Sequence, residues 1–69
     1  MKYLIVIEPT EADFSSYSPD LPGCIASAGT REECESEMRQ AIYFHLEGLR
    51  GDGEPIPAAS TSAAFVEVG

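Results

Sequence analysis

Apolar positions along this chain follow three different rhythms, and each predicts its own kind of element. From Tyr3 to Ile7 every residue is apolar and most are β-branched or aromatic, the pattern of a strand covered on both faces and placed centrally in a sheet. Pro9 to Asp13 is a polar connection, after which Phe14 to Ser18 alternates weakly with Phe14 and Tyr17 as its large side chains, so the first two strands form a hairpin. Cys24 to Ala28 predicts a third short strand built of small residues, where a helix can approach closely.

The third rhythm is helical. Cys34, Met38, Ala41, Ile42, His45 and Leu49 fall on one stripe at about 100° per residue, opposite Glu35, Ser36, Arg39, Gln40, Tyr43, Glu47 and Arg50. Thr30-Arg31-Glu32-Glu33 reads as a capping box at the start of this helix, acidic residues crowd its first turns, and Arg50 precedes Gly51 at its end. Glu35 and Arg39 stand at the i,i+4 spacing of a surface ion pair. Gly53-Glu54-Pro55-Ile56-Pro57 then leads extended chain through a loop of small residues to a fourth strand, Ala64 to Val68. The expected fold is α+β in the order β-β-β-α-β, a small antiparallel sheet with one amphipathic helix on one face.

Length and charge narrow the functional classes. A chain of 69 residues is one small domain whose core is marginal by itself, and its two cysteines imply neither a disulfide framework nor a zinc or redox motif. Burial is therefore expected from self-association into a dimer or tetramer, through Tyr3, Ile5 and Ile7 of the two-sided strand and Phe65 of the last one. Twelve acidic against four basic side chains give a formal charge of −8, which repels phosphate backbones and favours a basic protein partner over DNA or RNA. The apolar run at the amino end is too short to span a bilayer and has no cleavage site behind it, so a cytoplasmic protein with reduced Cys24 and Cys34 is expected.

Little catalytic chemistry is on offer. Glu8 ends the first strand with no second and third carboxylate to join it, and His45, the sole histidine, lies within the apolar stripe between Met38 and Leu49, where a packing role fits better than a ligand role. Cys24 and Cys34 read as packing residues. A non-enzyme without metal or cofactor is the expectation.

The most particular stretch is Tyr17-Ser18-Pro19-Asp20-Leu21-Pro22-Gly23-Cys24. Its prolines fix φ near about −65° and Gly23 permits a tight exit, so the chain reverses here with Asp20 and Leu21 presented at the bend. Together with Gly29-Thr30-Arg31-Glu32-Glu33, Ala41-Ile42, His45-Leu46-Glu47 and Gly53-Glu54-Pro55-Ile56-Pro57, it resembles the HicB-like antitoxin family over nearly the whole chain.

The resemblance implies a truncated RNase H-like domain that acts as the antitoxin of a HicA/HicB pair, blocking a small, basic, mRNA-cleaving HicA-type toxin by direct contact. An acidic surface suits that task, because it imitates the phosphate charge of the toxin's substrate. Two departures stand out: Glu11-Ala12-Asp13 precede Phe14 where relatives often carry glycines, and the chain stops at Gly69 where many relatives continue into a DNA-binding domain. Residues 1–69 are accordingly expected to form a single HicB-like domain without operator binding of its own.

Candidate contact residues are Asp20 and Leu21 on the rigid turn, and Glu35, Arg39, Tyr43, Phe44 and Glu47 on the exposed helix face. For the turn, a contact role and a purely structural role stand equally open, as they do for the exposed aromatics. The alternative to an antitoxin is an orphan relative, an oligomeric interaction or small-ligand-binding module without a toxin.

Overall fold

Three short antiparallel strands followed by one long helix make up the regular structure, in a computed structural model that describes all of residues 1–69. The elements are β1 (Val6–Pro9), β2 (Phe14–Tyr17), β3 (Ile25–Ala28) and α1 (Arg31–Gly51), with the strands in the order β1-β2-β3. This is the expected α+β arrangement. The β1–β2 hairpin is closed by Thr10, whose amide donates to the Asp13 carbonyl at 2.8 Å and whose hydroxyl accepts from the Asp13 amide at 2.9 Å.

Strand register assigns the two faces. Ile7, Ser16 and Ala26 form one row and Val6, Tyr17 and Ile25 the neighbouring row on the opposite face. The first row faces α1, which lies chiefly over β3 and β2. Small side chains permit that approach: Ala26 and Ala28 point toward the helix, and Ser16 is buried with its hydroxyl donating to the Ala26 carbonyl at 3.2 Å. The second row is open, leaving Ile25 and much of Tyr17 exposed.

The helix carries its predicted stripe inward. Cys34 and Met38 are buried, and Ala41, Ile42, His45 and Leu49 are half-buried, as is Leu46, which lies outside the predicted stripe. Thr30 caps the start with extended backbone (φ −125°, ψ 162°), accepting from the Glu33 amide at 3.1 Å. The reciprocal half of the expected box takes another form: the Thr30 hydroxyl also donates to the Glu33 carboxylate, at 3.0 Å. At the other end Gly53 takes φ 72°, and the Gly53 and Glu54 amides donate to the Arg50 and Leu49 carbonyls at 3.1 and 2.8 Å. This is a Schellman closure, which requires the left-handed residue that glycine supplies. The predicted Glu35–Arg39 pair does not form; Glu35 instead approaches Arg31 at 3.9 Å, one turn nearer the N-terminus.

Three expectations about the strands are corrected. β1 begins at Val6, and Tyr3 and Ile5 pack against the core from outside the ladder. β1 also lies at the sheet edge with β2 in the centre, because no fourth strand forms to flank it. Residues 54–69 have no regular structure, and the segment expected to be that strand leaves Phe65, Val66 and Val68 exposed.

Between β2 and β3 the chain makes two consecutive turns, with the Leu21 amide donating to the Ser18 carbonyl and the Cys24 amide to the Leu21 carbonyl, each at 3.1 Å. Pro22 followed by Gly23 at φ 83° is the arrangement of a type II turn. Ser18 is buried and ties the turn to the amino-terminal segment by donating to the Leu4 carbonyl at 2.9 Å. Leu21 is not presented to solvent as expected. The double turn swings it inward, where it is fully buried and forms the core with Cys24 and Met38. Leu21→Ala is expected to lower unfolding free energy by about 3 kcal/mol, against under about 1 kcal/mol for the exposed Ile25→Ala, a contrast measurable by urea denaturation.

Candidate partner-binding surface

Asp20 and Leu21, adjacent in sequence, part company in space. While Leu21 enters the core, the Asp20 carboxylate accepts from the Thr61 hydroxyl at 2.7 Å, the Thr61 amide at 3.0 Å and the Ser60 hydroxyl at 3.3 Å. These bonds favour the charged form, so Thr61 above all holds the Asp20 carboxyl below its ordinary value. The Tyr3 hydroxyl donates to the Pro57 carbonyl nearby. Asp20 is therefore a latch that fastens the C-terminal segment across the double turn.

The helix residues divide between two neighbouring surfaces. Glu35, Arg39 and Tyr43 stand on the wall of an open groove of about 570 Å³ that runs between α1 and residues 1–5. Tyr3 and Ile5 line its other side, and Ile42 and Leu46 line it from the helix. Phe44 and Glu47 instead face solvent, Phe44 with its ring edge-to-face against Tyr43 at 6.2 Å and Glu47 paired with Arg50 at 2.9 Å. Ile7 shares the helix-side face of β1, and Phe65 stands apart in the C-terminal segment.

Charge is segregated between these surfaces. Lys2, Arg39 and Arg50, three of the four basic side chains, line the groove, whereas Glu35 is the single carboxylate there among the chain's twelve. Arg31 and Arg50 are paired with Glu35 and Glu47, so Lys2 and Arg39 are the cations without an ion-pair partner. The remainder of the surface is left with eleven carboxylates and Arg31. Sequence reasoning did not find this groove. Lys2 and Arg39 are thirty-seven positions apart in the chain, and helical periodicity alone does not say which strand edge the helix flank overhangs. The Asp20–Thr61 latch was equally invisible, since a serine and threonine stretch reads as a loop.

Groups that could carry chemistry are dispersed. Glu8 is exposed at the β1 edge, His45 is half-buried on the packing face of α1, and no three histidine, cysteine or acidic side chains converge where they could hold a metal ion. Burial pushes the Cys24 thiol above its ordinary pKa, away from thiolate reactivity. No helix is long and apolar enough to cross a membrane. The surface combines an exposed aromatic pair, a cation-edged apolar groove and a strongly acidic remainder.

Comparison with known proteins gives this surface its family. The model of the HicB-like antitoxin of bacterial toxin-antitoxin systems matches residues 3–68. The chain belongs to the HicB-like antitoxin family. A chain in a solved HicA3 and HicB3 toxin-antitoxin complex has the same fold, with a TM-score of 0.75 and 30% sequence identity over 87% of this chain and 70% of that one. Among curated relatives, an uncharacterized 14.9 kDa protein from the rep-hol intergenic region of Haemophilus phage HP1 is 32% identical over 96% of this chain, which spans half of that protein's length. A UPF0150 protein of Thermoplasma acidophilum is 33% identical over 83% of this chain and 84% of its own. Within this HicB-like domain the proline turn and the helix ends, the segments that carried the resemblance, are the double turn and the Schellman closure.

The latch has a defined pH dependence. Because the folded-state pKa of Asp20 is lowered, its contribution is complete above the unfolded value of about 3.9 and is lost as pH falls through the lower folded value. The Thr61 amide proton shift is expected to titrate in that acid range by NMR, and Asp20→Asn to remove the step while leaving the sheet resonances in place.

Proposed function

We propose that this chain is an antitoxin that binds and masks a basic HicA-type mRNA-cleaving toxin by protein–protein contact, without catalysis of its own. The observation that carries the reading is the likeness, at 30% identity, to a chain in a HicA3 and HicB3 complex. The charge distribution supports it. Eleven carboxylates outside the groove, of which Glu47 is paired with Arg50, make a strongly acidic surface that attracts a cationic nuclease and occupies the place of its polyanionic substrate.

Phe44 and Glu47 are the contact residues in this reading. An aromatic side chain 71% exposed on a rigid helix offers a large apolar area at little conformational cost, and Glu47 beside it supplies a carboxylate for a basic side chain on the toxin. Asp20 enters indirectly, by fastening the C-terminal segment, and Leu21 by supporting the turn from inside.

Co-expression with a cognate HicA-type toxin tests the proposal. Growth is expected to be restored and a stoichiometric complex recovered, with an association rate that falls steeply as ionic strength rises. Phe44→Ala is expected to weaken the complex by about 30-fold, the scale of a central aromatic anchor. A chain that neither binds the toxin nor restores growth would overturn the antitoxin reading.

A further inference from the structure

Gly48 is a glycine without a task inside this chain. It lies within α1, in right-handed helical backbone, and the left-handed residue that closes the helix is Gly53. A β-carbon added at Gly48 would meet no heavy atom within 4 Å, so no neighbour forbids one. Glycine is nevertheless the poorest helix former apart from proline, because it loses the most backbone freedom on folding and shields none of the backbone from water. The fold supplies neither a conformational nor a steric reason for it here.

The surroundings of Gly48 supply another reason. At about 100° per residue Glu33, Glu37, Gln40, Phe44, Glu47 and Gly48 lie on one side of α1, and all are exposed. Arg31, Arg39 and Arg50 project from positions about 120° or more away from Phe44, and of these only Arg50 reaches back, to Glu47. Phe44 stands one turn before Gly48 and is 71% exposed. Because helical side chains lean toward the N-terminus, its ring tilts away from Gly48 and leaves the backbone there bare.

We propose that Gly48 is the point of closest approach to the toxin, a cationic segment of which lies along this face with its main chain against Gly48 and Phe44 anchored beside it. The proposal rests on the antitoxin reading and adds to it the residue that sets the contact distance. Charge selects the occupant. Three carboxylates against one reaching arginine suit a cationic surface, and they disfavour a second copy of a chain that itself carries −8. A side chain at Gly48 would hold the two backbones apart just where Phe44 must enter its pocket, so the glycine gives up helix stability in the free chain for contact in the complex.

Gly48→Ala and Gly48→Gln test this through two readouts that move in opposite directions. In the free chain both are expected to raise the melting temperature, Gly48→Ala by about 4 °C, with unchanged far-ultraviolet circular dichroism. In titration calorimetry against a purified cognate HicA-type toxin, Gly48→Gln is expected to weaken the complex about 10-fold or more, and Gly48→Ala by less. A lowered melting temperature for Gly48→Ala would overturn the proposal, because the fold itself would then require the glycine. A parent chain that binds the toxin while Gly48→Gln binds it equally well would overturn the proposal and leave the antitoxin reading standing. A parent chain that does not bind the toxin would overturn both.

Discussion

The structure depends on one leucine being turned inward. The sheet offers α1 a shallow face of Ser16 and Ala26, whose small side chains cannot fill the space below a helix. Leu21, arriving from the double turn and not from any strand, supplies that volume and meets Met38 from the helix and Cys24 at its own exit. Full burial of a leucine contributes about 1.5 to 3 kcal/mol, a large share of what a domain with only six buried residues can muster. Pro19 and Pro22 reduce the conformations open to the unfolded turn, so less entropy is lost in placing Leu21. A rigid turn is thus part of the core and not an ornament at its rim.

The same turn governs the C-terminal segment. Asp20 precedes Leu21 by one residue, and burial of Leu21 sets the direction in which the Asp20 carboxylate points. Its bonds to Ser60 and Thr61 are exposed and individually weak, but they fix where the segment leaves the body. The core is therefore coupled to the segment through a single peptide unit. Displacement of the leucine would also move the root of the segment.

Much of this was legible in the sequence, and what was not has a common physical origin. The helix could be read because its determinants are local: Thr30 at the cap, Gly53 beyond the end, and Cys34 and Met38 at helical spacing. The hairpin and the small third strand followed from turn chemistry and side-chain size in the same way. Misplaced features were those set by contacts distant in sequence. The uninterrupted apolar run Tyr3 to Ile7 reads as a central strand, but it becomes an edge when Ala64 to Val68 does not pair beside it. Leu21 looks like an exposed residue between two prolines until the sheet face below it is known to be too small. Glu35 had Arg39 and Arg31 at equal separation on either side, and only side-chain geometry chose Arg31. Of the candidate site, the exposure of Tyr43 and Phe44 was legible from periodicity, whereas the groove beside them requires knowing which edge the helix overhangs.

Charge is unevenly spread over this small surface. Two chains of charge −8 repel at long range, whereas the groove holds the two cations without an ion-pair partner. A basic toxin of the proposed kind would be drawn to the acidic remainder of the surface. Salt acts oppositely on the two: with a screening length of about 8 Å under physiological conditions, it dampens the net repulsion between copies but weakens long-range attraction to a cationic partner. The groove lies between α1 and residues 1–5, while Phe44 and Glu47 face solvent on the neighbouring side of α1. The proposed contact residues Phe44 and Glu47 thus stand apart from the unpaired cations Lys2 and Arg39, so a cationic partner approaching them would avoid the one region of the surface that repels it.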